Sequence, residues 1–203
     1  MMYHVPEYIA RFFPDYLFHG SRKEKIIYLT FDDGPIPEVT PWVLDVLKDY
    51  EIQATFFCVG ENINKHPEVF ERLKSGKHAI GNHTFNHLNG WNTPKSIYLD
   101  NFNLSEKTHA TDLFRPPYGR ILKSQREAIT QTHKVVMWDI LTGDYDPQRS
   151  PLDCLNTCKK YLKNGSIVVF HDSIKAENNL RGSLVQFIEF ALSQGFRFEK
   201  LRA

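Results

Sequence analysis

Seven short apolar runs alternate with segments of helical periodicity along most of the chain, and this alternation restricts the fold more than any other property of the sequence. The runs are Ile26 to Phe31, Gln53 to Val59, His78 to Gly81, Asp112 to Arg115, Lys134 to Asp139, Ser166 to Phe170 and Gly195 to Lys200. Helical segments are expected over Pro41 to Tyr50, Pro67 to Ser75, Pro94 to Thr108, Leu122 to Gln131, Leu152 to Leu162 and Leu180 to Ser193. In the first of them Val43, Leu44, Val46 and Leu47 fall on one side. Strands alternating with helices pair in parallel through right-handed crossovers. Runs so short and so uniformly apolar are covered on both faces, which suits a closed or nearly closed barrel as well as an open doubly wound sheet. A chain of 203 residues, 41% hydrophobic and 24% charged, suits one domain with a substantial core.

Polar clusters follow or close five of the runs: Asp32-Asp33, His83 with His87, Arg115 to Tyr118, Asp139 to Tyr145, and His171-Asp172. In a barrel, side chains at the C-terminal ends of strands share one rim, so five such clusters form one pocket. Asp32 and Asp33 are like charges side by side on an Asp-Asp-Gly-Pro turn. A cation that takes one carboxylate and leaves the other free as a base relieves their repulsion. His83 and His87 are four apart and can reach one cation from a single turn or compact loop. One Asp and two His leave positions open for water and substrate, as a hydrolytic metal site requires. Each pattern alone has an ordinary explanation, a tight turn for the first and core or surface histidines for the second. Their combination favours the site.

Bulk properties exclude several classes. A formal net charge of +1 with no long Lys/Arg block gives no nucleic-acid stripe. Cys58, Cys154 and Cys158 are odd in number and suggest free thiols, with no disulfide framework. No segment approaches the roughly 20 apolar residues of a membrane span, and Met1 to Phe18 lacks the apolar core of a signal peptide. The chain as it stands is therefore expected to be cytoplasmic unless a leader has been removed, and a monomer. Tyr8 to Phe18 is expected to form a short amphipathic helix closing one end of the core, with contact to a membrane surface as the alternative.

The motifs Thr30-Phe31-Asp32-Asp33-Gly34-Pro35, His83-Thr84-Phe85-Asn86-His87, Arg115-Pro116-Pro117-Tyr118-Gly119, Trp138-Asp139 with Asp144-Tyr145, and Ile167-Val168-Val169-Phe170-His171-Asp172 occur in this order. In this the chain resembles the polysaccharide deacetylase family, the NodB-homology or carbohydrate esterase family 4 domain. The resemblance spans roughly Ile26 to Leu201. It implies an α/β fold, a distorted (β/α)7-type barrel related to the TIM barrel, in a single catalytic domain over 23–203 with residues 1–22 packed on it as an extension. It also implies a metal-dependent hydrolase that removes N-acetyl groups from amino-sugar glycans of peptidoglycan or chitin type. O-deacetylation of a polysaccharide, hydrolysis of a small amide, and carbohydrate binding without turnover are the alternatives.

By the same resemblance Asp33, His83 and His87 hold a divalent metal, zinc or alternatively cobalt, and Asp32 is the general base. His171 protonates the leaving amine, Arg115 orients Asp32, and the Tyr118 N–H helps hold the oxyanion. Trp138, Tyr145 and Val169 are expected to contact substrate, Val169 where a leucine often encloses the acetyl methyl. The fourth motif departs from the family. An aspartate that steadies the catalytic histidine is expected four residues before the aromatic, where this chain has Leu141. Asp139, two residues upstream on the same side of an extended strand, is the expected substitute.

Overall fold

In the computed structural model, which describes residues 3–202, all seven expected strands form and two short ones join them. The elements run α1 (Glu7–Ala10), β1 (Tyr16–Leu17), β2 (Ile26–Asp32), α2 (Thr40–Asp49), β3 (Thr55–Cys58), α3 (Gly60–Lys65), α4 (Pro67–Ser75), β4 (Ala79–Asn82) and α5 (Lys95–Thr108). They continue with β5 (Leu113–Phe114), α6 (Lys123–Ile129), β6 (Lys134–Val136), β7 (Ile140–Leu141), α7 (Pro151–Tyr161), β8 (Ile167–His171), α8 (Glu177–Ser193) and β9 (Arg197–Phe198). The sheet order is β1-β6-β5-β4-β3-β2-β8-β7, with β9 added to β2, and every ladder is parallel. The seam lies between the ends of this order, and the N-terminal segment crosses it through bridges from His4 to Ile140 and His19 to Ser166.

Two expectations change here. The stretch 8–18 is not one helix: α1 stops at Ala10 and Tyr16–Leu17 pairs with β6 as a strand of the wall. Pro14 lacks the N–H that a continuing helix would need. The run Lys134 to Asp139 is not one strand either. After β6 the chain passes from one neighbour to another, with the Met137 N–H on the Leu17 carbonyl (2.8 Å) and the Asp139 N–H on the Ile167 carbonyl (3.0 Å). Met1, Met2 and Ala203, which belong to the expected extension and to the end of the expected domain, lie outside the described residues.

Strand alternation sorts the side chains into two cores. On β2, Ile27, Leu29 and Phe31 face the helices, while Tyr28, Thr30 and Asp32 face the barrel interior. On β8, Val168 and Phe170 face outward and Val169 and His171 inward. The outer core is aromatic at its centre: Phe31 stacks on Phe56 (centroids 4.9 Å apart) and Phe170 (6.2 Å), and all three are buried. Phe31→Ala should lower unfolding free energy in urea by about 3–5 kcal/mol, because the cavity opens in a wall of rings that cannot collapse into it. A loss below about 1 kcal/mol would mean that the helices slide inward and this core is softer than its packing implies.

The thiols of Cys58, Cys154 and Cys158 are free, and all three are buried. Burial raises those of Cys58 and Cys158 well above the ordinary thiol range. Among the described residues no helix is long and apolar enough to cross a membrane.

Candidate active site

Asp32 and His171 end adjacent strands and are register partners in the β2–β8 ladder, so both side chains emerge on the inner side of the same rim. Asp32 is nearly buried, and Arg115, wholly buried beneath it, donates from one terminal nitrogen to Asp32 Oδ1 (2.7 Å) and Thr30 Oγ1 (2.8 Å). Its remaining donors reach the carbonyls of Val136 (3.3 Å) and Met137 (2.9 Å), and its guanidinium lies 4.1 Å from the centre of the Phe57 ring. Burial lowers the guanidinium pKa and the Asp32 carboxylate opposes that shift, the mutual support of a buried ion pair. Arg115 therefore lies beside Asp32, the position the family resemblance implies.

Asp33, His83 and His87 offer one ligand atom each, all within 4.8 Å of one another. His83 Nε2 and His87 Nε2 lie 3.8 and 3.2 Å from Asp33 Oδ1, without the alignment of a hydrogen bond, and that oxygen is otherwise buried without a partner. The Arg115 carbonyl accepts from His83 Nδ1 at 2.7 Å, which leaves the Nε2 lone pair facing Asp33. Burial pushes the His83 imidazole down to about 4, against the charge of Asp32, so it is the neutral, ligating form. Burial pushes the Asp33 carboxyl up, but the imidazoles of His87, His171 and His83 outweigh it and hold the carboxyl well below its usual range. Two lone-pair nitrogens and an orphaned carboxylate oxygen converging on one space fit a divalent cation.

Backbone strain gathers at the same place. Among non-glycine residues, Asp33 (φ 85°), Thr84 (φ 61°), His87 (φ 54°) and Tyr118 (φ 61°) occupy the left-handed region. Each is held there by its surroundings. Asn62 Nδ2 donates to the Asp33 carbonyl (2.8 Å), Asn82 Oδ1 accepts from the Thr84 N–H (2.7 Å), and Tyr118 Oη meets His87 Nδ1 (3.2 Å). Asp172, fully buried, anchors the turn after Asp33: it accepts from the Gly34 N–H (3.1 Å) and from the Thr40 hydroxyl (2.6 Å). A side chain at Gly34 would run into that carboxyl, which is why the position needs glycine. Burial, despite the Thr40 hydrogen bond, raises Asp172 to about 8.

A cavity of about 520 Å³ covers these groups, walled by Tyr118, Trp138, Leu141, Tyr145 and His171 over a floor of Asp32, Asp33, His83 and His87. Three of the four expected substrate contacts line it. Val169 does not: it is fully buried below His171, and its ladder neighbour Leu141 supplies the apolar wall in its place.

The expected role of Asp139 is likewise overturned. Its carboxylate accepts from Arg22 (2.9 Å) and from the Ser166 hydroxyl (2.6 Å), away from the cavity. Asp144 is the partner of His171, through one oxygen on Nδ1 (2.8 Å) and the other on the backbone N–H (2.7 Å). Counting back from Tyr145 missed it, because Gly143 (φ 73°) turns the chain and swings Asp144 under the histidine. Burial lowers the His171 pKa, but Asp144 and, behind it, Asp33 and Asp32 raise it to about 9.

The chain matches the polysaccharide deacetylase family profile over residues 19–136. It is 36% identical to a peptidoglycan-N-acetylglucosamine deacetylase of Bacillus cereus, over 86% of this chain and 85% of that protein. With the peptidoglycan-N-acetylmuramic acid deacetylase PdaA of Bacillus subtilis it shares 45% identity, over 92% of this chain and 74% of that one. The crystal structure of the Bc1960 peptidoglycan N-acetylglucosamine deacetylase superposes with a TM-score of 0.88 at 30% identity, covering 97% of this chain and 95% of that one. Likeness in sequence and in fold along nearly the whole chain leads to one conclusion: the chain belongs to the polysaccharide deacetylase family.

Proposed function

We propose that this chain is a metal-dependent hydrolase that removes N-acetyl groups from an amino-sugar glycan of peptidoglycan or chitin type, releasing acetate and a free amine. The observation that carries the reading is the pairing of Asp32 and His171 on one rung of the sheet, beside the Asp33–His83–His87 cluster. Asp33, His83 and His87 would hold a divalent cation, zinc in our reading, which when bound would supply Lewis-acid charge and lower the pKa of water. Asp32, fixed by Arg115, takes the proton of the attacking water. His171 is an imidazolium at neutral pH, hydrogen-bonded to Asp144, and gives its Nε2 proton to the nitrogen as the C–N bond breaks. The N–H of Tyr118, on a turn fixed by the Gly119 and Arg120 N–H bonds to the Pro116 and Pro117 carbonyls, is our candidate donor to the oxyanion. Trp138, Leu141 and Tyr145 exclude water around the acetyl group.

Acetate release should be measured from chitin oligosaccharides, peptidoglycan strands and acetylxylan, each with zinc, cobalt or a chelator. The expected result is release from an N-acetylated glycan that a chelator abolishes. Release that ignores the chelator, or that occurs only from acetylxylan, would defeat the reading. His83→Ala should bring bound zinc well below one equivalent in equilibrium dialysis; undiminished binding would remove His83 from the ligand set.

A further inference from the structure

Among the described residues, two cations on the walls of the cavity have no anion within ion-pair distance. Arg120 follows the Pro117–Gly119 turn after β5, and Lys175 lies four residues beyond His171 after β8, so the barrel order sets them on opposite walls. Both are exposed. Among the described residues, ten other arginines and lysines, from Arg22 to Arg197, reach carboxylates. Among the described residues neither Arg120 nor Lys175 has a carboxylate within 4 Å. Each is steadied by a ring instead: the Arg120 guanidinium lies 5.0 Å from the centre of Trp91, and Lys175 Nζ lies 5.6 Å from that of Tyr145. A ring contact orients a cation without neutralising it. Trp91 is itself held to the same loop, because the Gly90 N–H donates to the Arg120 carbonyl (3.1 Å) and Gln125 Nε2 to the Gly90 carbonyl (3.0 Å). Arg120 thus keeps a defined place and an unspent charge beside the acetyl-binding walls.

We infer that Arg120 and Lys175 read a carboxylate carried by the glycan next to the acetylated sugar, so that acidic amino-sugar strands are favoured over neutral ones. This rests on the deacetylase reading and narrows its substrate class. The carboxylate has two sources in such polymers, an acidic ether substituent on the sugar itself or a peptide attached to it. A neutral N-acetylglucosamine oligomer carries neither.

The test compares kcat/KM on tetra-N-acetylchitotetraose, on peptide-free peptidoglycan strands and on peptide-bearing strands, for the zinc-loaded enzyme and for Arg120→Gln and Lys175→Gln. Each substitution should lower the acidic-to-neutral kcat/KM ratio about tenfold through KM, and the pair together about a hundredfold. Added salt should erode the ratio in the parent enzyme. A ratio that drops for peptide-free strands assigns the sugar-borne carboxylate; a drop confined to peptide-bearing strands assigns the peptide. An unchanged ratio, or equal losses on neutral and acidic substrates, overturns the inference. Direct binding to an Asp32→Asn protein separates this from the activity itself. If the parent enzyme releases no acetate but Asp32→Asn binds acidic strands more tightly than neutral ones, and loses that preference with Arg120→Gln, the inference stands while the deacetylase reading falls.

Discussion

Asp32→Asn should lower acetate release by about three orders of magnitude, the span expected for loss of the proposed general base, while the protein should still bind one equivalent of zinc. The two halves of this expectation come from separate atoms. The amide cannot take a proton at neutral pH, yet Asp33, His83 and His87 keep their positions because Asn62, the Arg115 carbonyl and Tyr118 fix them independently of the Asp32 charge. The Asn oxygen still accepts from Arg115, but the guanidinium loses its countercharge inside the barrel, so stability falls by roughly 2–3 kcal/mol. Rates are therefore compared well below the melting temperature of the variant, with zinc content and circular dichroism recorded on the same samples. A variant that keeps a tenth of the parent rate would show that another group removes the proton. Zinc lost together with activity would place Asp32 among the ligands.

Asp144→Asn is the second large effect, and it is visible first in the pH profile. Asp144 is the leading cause of the high His171 pKa, opposing its burial, so the variant histidine gives up its proton at lower pH. The alkaline limb of kcat should move down by at least one unit, and the rate at pH 8 should fall about a hundredfold as both proton and orientation are lost. A cation on Asp33 draws off part of that carboxylate's influence, so the limb of the zinc-loaded parent should lie somewhat below 9. An unshifted limb with a uniformly lower rate would mean that Asp144 only props the ring.

Stability moves with the same protons. The raised His171 pKa contributes stability that is fully present below about 6.5 and is lost as pH rises through about 9. The stability gap between parent and Asp144→Asn should accordingly be widest near pH 6 and shrink toward pH 10. Asp172, raised to about 8, acts in the same direction: its contribution is complete below the ordinary Asp range and fades as pH climbs through 8.

The long strands and the helices were legible because both leave a period or an unbroken apolar run. The two added strands of the seam leave neither. Tyr16–Leu17 and Ile140–Leu141 are strands only because a partner backbone lies beside them, and nothing in four residues of sequence announces that. The same seam explains the misassigned aspartate. Treating Lys134 to Asp139 as one strand placed Asp139 on the inner face, whereas the chain changes partners at Met137 and delivers the Asp139 carboxylate to Arg22 and Ser166. The residues carried over from motifs, Asp32, Asp33, His83, His87, Arg115 and His171, do come together, since each sits at or just past a strand end. What the motifs could not convey was the turn at Gly143 and the exchange of Val169 for Leu141, which depend on how a loop is folded over the rim.

Since Asp32 and His171 share a rung, their backbones are held apart by the interstrand distance of about 4.8 Å, a constant that loops cannot stretch and from which the proposed base and acid both extend. Evolution and engineering are thereby divided in what they can reach. Insertions around Trp91, Arg120 or Lys175 can redraw which polymer enters, and the proton-transfer frame stays as the ladder left it. Deleting one residue inside β8 would instead turn Phe170 into the barrel interior and His171 toward the helices, removing the proposed acid from the cavity in a single step.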